Sequence, residues 1–284
     1  MPIANTSSLA DFAFDRATAL TEVVAEEGIK TFAGRVHPGW DIVGNANGGY
    51  LLALAGHALV LGTGRPDCLS VTAHYLAPCP ATDISIRVTP IRSGRRFSTA
   101  TATMTATIDG QDKQILQVLA TMADLDRDPG GPTEMVSPQP PISPFESCLL
   151  LRDTSVNDFA HIHGQLGTRG EPQDLGFRDG NPNGMGLMRG WFDFDDDRPI
   201  DTRALLLASD AFPPAVFNLD VASNWVPTVE LTVHTRAVPS PGPVACYFST
   251  RYLQNGLLEE DGEMWDSQGV LVAQSRQLAL APRQ

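Results

Sequence analysis

Asp210 stands in an apolar stretch, with Leu205-Leu206-Leu207-Ala208 before it and Ala211-Phe212 after it. A carboxylate drawn into such a stretch is expensive to desolvate unless polar groups meet it. Burial also raises its pKa toward that of a useful general base. The plainer reading is a helix Asp that reaches a cap or solvent, because Pro213-Pro214 follows and can distort the helix. Gly48-Gly49-Tyr50 opens another apolar segment. Free N–H groups and the dipole at a helix start favour negative charge, and glycine lets a ligand come close. That backbone could hold a developing oxyanion or form a pocket wall, or the glycines could serve only a tight turn. The densest basic site is Arg92-Ser93-Gly94-Arg95-Arg96. Arginine is well shaped for phosphate, although a solvated turn of this composition is common.

Other constellations weigh less. No Gly-x-Ser-x-Gly elbow is present, which argues against an α/β-hydrolase serine route. No phosphate-loop or dinucleotide fingerprint is present either; Gly180 to Gly186 is glycine-rich without a strand–turn–helix context. His161 and His163 lack a third metal ligand nearby and read as exposed loop residues, so no metal is expected. Asp158 and His163 have the Asp-x4-His spacing of hydratases but not the Asn-Pro between. His74 reads as a packed strand histidine. Trp191, Trp225 and Trp265 read as core or interface filling.

These residues need elements to hold them, and the elements repeat. In the first half an apolar helix from Gly48 to Leu61 precedes strands at Leu69–Leu76, Ile84–Ile91, Phe97–Ile108 and Gln114–Ala123. In the second half a helix from Thr202 to Phe217 precedes strands at Thr228–Thr235, Val244–Leu253, Leu257–Trp265 and Val270–Leu280. Pro78-Cys79-Pro80 and Pro239-Ser240-Pro241 break the two halves at matching places, 161 residues apart. The strands alternate, as a sheet with one buried face requires, and Asx-Gly turns join antiparallel neighbours. A helix apolar all round must be buried on all sides. The fold class is therefore α+β and duplicated, each half an antiparallel sheet wrapped around one long buried helix. The expected domains are 1–125, a Pro/Gly-rich connector at 126–185 that crosses the surface, and 186–284. A short helix near Phe145–Arg152 is expected inside the connector.

Composition bounds the partners. The 284 residues carry 20 Lys and Arg against 33 Asp and Glu, for a net charge of −13. That excludes the basic footprint of a nucleic-acid binder and disfavours anionic lipid. The longest apolar run, Tyr50 to Leu61, is too short to span a membrane and contains His57. Met1 to Ala10 has no secretory pattern. Cys68, Cys79, Cys148 and Cys246 form no Cys-x-x-Cys pair and read as reduced, mostly buried thiols of a cytoplasmic protein.

Several segments resemble the acyl-CoA thioesterase II (TesB-like) family, whose arrangement is the double hotdog. They are Asn47-Gly48-Gly49-Tyr50-Leu51, the run Ser70 to Pro78, Arg95-Arg96-Phe97-Ser98, Ala208-Ser209-Asp210, Pro227-Thr228-Val229-Glu230, and the run Val270 to Gln277. The resemblance covers both halves and not the connector. It implies hydrolysis of fatty acyl-CoA to free acid and CoA, without cofactor or metal. It places the family's Asp, Thr and Gln on Asp210, Thr228 and Gln277, which together hold a water. Period-two alternation puts Gln277 and Ser275 on one strand face, Gln274 and Arg276 on the other. With acyl-CoA as substrate, the Gly48, Gly49 and Tyr50 backbone is the candidate oxyanion donor or acyl-pocket wall, and the basic site of Arg92, Arg95 and Arg96 is the candidate contact for the CoA phosphates. Both a monomer and a homo-oligomer stay open. The competing class is a non-catalytic acyl-CoA binder. An offset of 161 pairs Asp210 with Gly49, which implies one working site per chain.

Overall fold

The computed structural model describes residues 12–26, 28–127, 131–134, 137–219, 221 and 225–281. Met1–Ala10, weighed above for a secretory pattern, lies outside them. The N-terminal half runs through α1 (Ala13–Ala17), β1 (Thr21–Glu26), β2 (Ile29–Arg35), β3 (Asp41–Ile42), β4 (Asn45–Ala46), α2 (Gly48–Thr63), β5 (Asp67–Tyr75), β6 (Asp83–Ser93), β7 (Ser98–Ile108) and β8 (Gln111–Ala123). The chain continues through β9 (Leu149–Leu150), β10 (Arg169–Gly170), β11 (Leu187–Phe192), α3 (Thr202–Ala208), β12 (Thr228–Thr235), β13 (Val244–Ser249), β14 (Leu253–Gln254), β15 (Leu257–Trp265) and β16 (Leu271–Leu280).

Fourteen strands form one antiparallel sheet in the order β1-β2-β6-β7-β8-β5-β12-β16-β15-β13-β11-β10-β9, with β14 paired to β15. β3 and β4 make a separate hairpin. The two halves meet edge to edge where β5 pairs with β12. That register centres on Thr72 opposite Thr232, with Val71 opposite Val233 and Ala73 opposite Leu231 on either side. The two hydroxyls lie 2.9 Å apart, 160 residues apart in sequence. An antiparallel pair centred on equivalent residues is what a pseudo-twofold axis through the seam produces.

The helices lie against the inner face. Asn47 caps α2 by accepting the Tyr50 N–H at 2.9 Å, and Gly64 closes it with a left-handed φ of 69°. Ten α2 residues, from Gly49 to Leu59, are buried, as an all-round apolar helix demands. Asp201 caps α3 in the same way, accepting the Ala204 N–H at 2.7 Å. The second helix is shorter than expected. It spans seven residues and stops at Ala208, and the chain resumes as a 3-10 turn at Ala215–Asn218. Pro213-Pro214 accounts for the break: neither residue can donate the N–H a continuing helix needs. One long buried helix per half therefore holds for the first half only.

The connector also differs from expectation. It supplies β9 and β10 to the sheet, and Leu151, Val156, Ala160, Ile162 and Leu166 enter the core. The short helix near Phe145–Arg152 is replaced by 3-10 turns at Phe145–Ser147 and Leu151–Asp153. All four cysteines are free and buried, and burial raises each thiol, Cys68 to about 12 and Cys79 and Cys148 to about 11. Among the described residues no helix is long and apolar enough to cross a membrane.

Candidate active site

α2 and α3 run side by side in opposite senses. The C-terminal end of α3 therefore delivers Asp210 to the N-terminus of α2. The Asp210 N–H donates to the Leu207 carbonyl at 3.1 Å, and donors from α2 and its cap hold the carboxylate. The Gly49 N–H donates to Asp210 Oδ2 at 3.0 Å, and Asn47 Nδ2 donates to the same oxygen at 3.0 Å and to the Asp210 carbonyl at 2.7 Å. From β16, Gln277 Nε2 donates to Asp210 Oδ1 at 3.1 Å and to Thr228 Oγ1 at 2.6 Å. The structure thus brings Asp210, Thr228 and Gln277 into one hydrogen-bonded cluster. Burial pushes the Asp210 carboxyl up to about 6, against the lowering effect of the donors from Gly49, Gln277, Gly48 and Asn47.

The two glycines are required by this approach. A Cβ on Gly48 would lie 2.9 Å from Asp210 Oδ2, and one on Gly49 would lie 2.6 Å from the Leu207 carbonyl. The Gly49 N–H is taken up by the carboxylate and is not free to hold an oxyanion, which corrects that part of the expectation for Gly49, whereas Gly48 lines the cavity. Tyr50 is corrected as well. It is fully buried away from the cavity, its hydroxyl donating to the Ala17 carbonyl at 2.8 Å and accepting from the His37 N–H at 3.2 Å.

Arg92, Arg95 and Arg96 are exposed at the β6–β7 turn. Arg65, just past the C-terminus of α2, donates to the carbonyls of Gly94 and Arg95. The turn thus sits at the far end of α2 from Asp210. The helix has 16 residues, about 24 Å at 1.5 Å per residue. The structure does not bring these arginines to the cluster.

A cavity of about 230 Å³ opens onto the cluster. Asn47, Gly48, Tyr75, Asp210, Thr228, Glu260 and Gln277 form its polar end. Phe212, Pro213, Pro214, Phe217 and Trp225 form one apolar wall, and Val156, Phe159, Ala160, Ile162 and His163 of the connector form another. His163 is therefore buried, not exposed as expected, and desolvation lowers it to about 4. His161 instead bonds Asp41 Oδ2 at 2.9 Å, and Asp158 is exposed, so Asp158 and His163 form no pair. His74 is exposed on the outer sheet face. Trp265 is core, whereas Trp225 is 38% exposed at the cavity.

Sequence reasoning assigned no role to Asn47, Tyr75, Glu260 or the connector wall. Asn47 had a readable signal, since Asn before a helix start is a preferred N-cap. The others depend on sheet register and tertiary packing.

Register also decides how the halves correspond. Thr228 and Cys68 are equivalent across the seam, and each begins the same β-bulge, between Thr228 and Glu230 in one half and Cys68 and Ser70 in the other. Bulges re-aim side chains beside functional sites. Leu231 pairs with Gln277 as its equivalent Val71 pairs with Ala120. The caps Asn47 and Asp201 align the helices, which sets Asp210 against Gly56, not Gly49. Gly56 and Cys68 touch in the first half, a Cβ on Gly56 lying 3.5 Å from the Cys68 sulfur. Gly, Cys and Ala thus stand where the second half has Asp, Thr and Gln.

Known domain families match both halves. The acyl-CoA thioesterase N-terminal domain matches residues 36–123, and the acyl-CoA thioesterase C-terminal domain matches residues 145–281. The chain belongs to the acyl-CoA thioesterase family. The C-terminal thioesterase domain begins inside the expected connector, in agreement with the strands and core residues found there. A structure from Thermobifida fusca YX, provisionally described as a thioesterase II, is 28% identical with a TM-score of 0.82 over 96% of this chain and 98% of that one. A hotdog-fold protein of unknown function from Alicyclobacillus acidocaldarius shares the fold, at 23% identity and a TM-score of 0.77 over 96% and 98%. So does the tesB protein of Mycobacterium avium subsp. paratuberculosis, at 17% identity and a TM-score of 0.72 over 97% and 100%. An uncharacterized protein of Mycobacterium tuberculosis is 34% identical over 84 residues, 30% of this chain and 28% of that protein's length.

Proposed function

We propose that this thioesterase-family chain hydrolyses acyl-CoA thioesters by direct attack of water, with Asp210 as general base. The observation that carries the reading is the cluster itself. A carboxyl raised to about 6 is held by Gln277, which also bonds Thr228, at the polar end of an apolar cavity. A thioester carbonyl is already activated, and a thiolate leaves readily, so a base, a water holder and an oxyanion donor suffice.

In the proposed step the Asp210 carboxylate takes a proton from a water held by Thr228 and Gln277. The water oxygen bonds to the thioester carbon. The C–S bond then breaks with its electron pair going to sulfur, and the Asp210 proton passes to the thiolate. The acid product loses its own proton to solvent. The apolar walls from Phe212 to Phe217 and from Val156 to Ile162 hold the acyl chain. A non-catalytic binder of the same fold would not need to raise a carboxyl and aim it into the cavity.

The test is thiol release from acyl-CoAs of two to eighteen carbons. Asp210 must be ionised to act, so the fraction able to act falls as pH drops below about 6. The expected kcat/KM declines tenfold per pH unit on that side. A rate that stays flat down to pH 4.5 removes Asp210 from the base role.

A further inference from the structure

Glu260 is the remaining carboxyl at the polar end of the cavity. It lies on β15 directly opposite Gln277 of β16. Its Oε2 accepts the Ala215 N–H at 2.5 Å, at the turn that follows Pro213-Pro214. Oε1 has no hydrogen-bond partner among the described residues, and the side chain is half-buried with its accessible surface on the cavity.

The internal repeat sets Glu260 apart. Gln277 pairs with Glu260 as Ala120 pairs with Ala100 in the first half. Glu260 therefore joins Asp210, Thr228 and Gln277 as a polar residue whose repeat equivalent is small and apolar. A residue needed only to fill the sheet would not have to differ in step with the cluster.

Most of the donors nearest Asp210 already have acceptors. The Gly49 N–H, Asn47 Nδ2 and Gln277 Nε2 are committed to Asp210, the Tyr50 N–H to Asn47 and the Tyr75 hydroxyl to the Gly48 carbonyl. Thr228 and Gln277 are assigned to the water. Resting on the thioesterase reading, we infer that Glu260 works as a neutral carboxylic acid whose Oε1–H donates a hydrogen bond to the thioester carbonyl oxygen as that oxygen becomes an oxyanion. The proton stays on Glu260 throughout. Such a neutral donor is strongest in a site from which water is excluded.

The surroundings favour the neutral form. Burial pushes Glu260 up to about 8, and the negative charges of Asp210 and Glu259 push the same way, against the Ala215 N–H. Tyr75 of β5 and His163 of the connector line the same cavity and bring no positive charge, His163 being held at about 4. Arg276 of β16 and Arg251 are drawn to Asp261 and Glu259. Tyr247 of β13 stands opposite Glu263, three residues along β15.

The donor is present below about pH 8 and lost above it. Wild-type kcat/KM is therefore expected to fall on the alkaline side near pH 8. E260Q retains an amide donor: it should lose less than tenfold at pH 7 and lose the alkaline fall. E260A should lose about 10²-fold at pH 7 through kcat, with KM little changed. Melting temperature supplies a reading independent of turnover. A carboxyl whose folded-state pKa is raised destabilises the fold only once it would ionise in the unfolded chain. The penalty is absent below about 4.5, grows up to about 8, and is full above that. E260Q should melt with wild type at pH 4.5 and increasingly above it toward pH 8. Equal profiles overturn the neutral-acid assignment. E260A turning over at the wild-type rate overturns the donor role alone. No hydrolysis of any acyl-CoA by wild type overturns the thioesterase reading, and the donor role with it.

Discussion

Asp210→Asn is expected to cut acyl-CoA hydrolysis by about 10³-fold while the fold stays intact. General-base catalysis contributes roughly 10²–10⁴-fold, and Asp210 is the carboxylate that Gly49, Asn47 and Gln277 all address as donors. An asparagine presents one oxygen and one NH₂ to that ring of donors. It cannot accept the proton of water, and its NH₂ faces a donor whichever way the amide turns. The loss should fall on kcat, because the residue is invoked in the chemical step and the apolar walls still bind the acyl chain. Thiol release measured beside a melting curve checks this. A variant that melts like wild type and keeps more than a tenth of the rate removes Asp210 from the chemistry.

Gly49→Ala is expected to damage both stability and turnover. Its Cβ would meet the Leu207 carbonyl at 2.6 Å, the Leu206 carbonyl at 3.1 Å and Asp210 Cβ at 3.1 Å. Two of these are backbone atoms, so α2 and α3 must move apart. Overpacking of this kind costs about 1–3 kcal/mol, or roughly 3–10 °C of melting temperature for a chain of this size. The displacement falls on the residue next to the carboxylate. A misplacement of about 1 Å costs about 10²-fold in rate. Thermal melting and kcat, measured together, should fall together. A variant with wild-type melting and wild-type kcat would show that the helices tolerate a methyl group there.

The sheet was largely legible in the sequence. Period-two alternation with Gly and Pro punctuation located β5 to β8, β12, β15 and β16 to within a few residues at their ends. The local chain encodes that pattern. The shortening of α3 was less legible, because Ala211-Phe212 and Ala215-Val216-Phe217 stay apolar beyond the helix and hide its end. Pro213-Pro214 carried the information, but hydrophobic spacing outweighed it. The connector was opaque because 3-10 turns have no long period to read, and burial of Ile162 or His163 follows from what packs above them.

The site divides in the same way. Asp210, Thr228 and Gln277 came from family resemblance, and the structure supplied their hydrogen bonds. Glu260 hid in the run Glu259-Glu260-Asp261, which reads as a solvated acidic edge until register turns it inward. The arginine cluster shows the converse: charge density marks a residue type suited to phosphate and carries no information about where the fold puts it.

The seam at Thr72 and Thr232 has a further consequence. Two separate subunits joined along such an edge would part on dilution, and any substitution would appear in both at once. Here both strands belong to one polypeptide, so their pairing is first order and indifferent to protein concentration. The covalent link also frees each copy to vary alone. One half can carry Gly56, Cys68 and Ala120 where the other carries Asp210, Thr228 and Gln277.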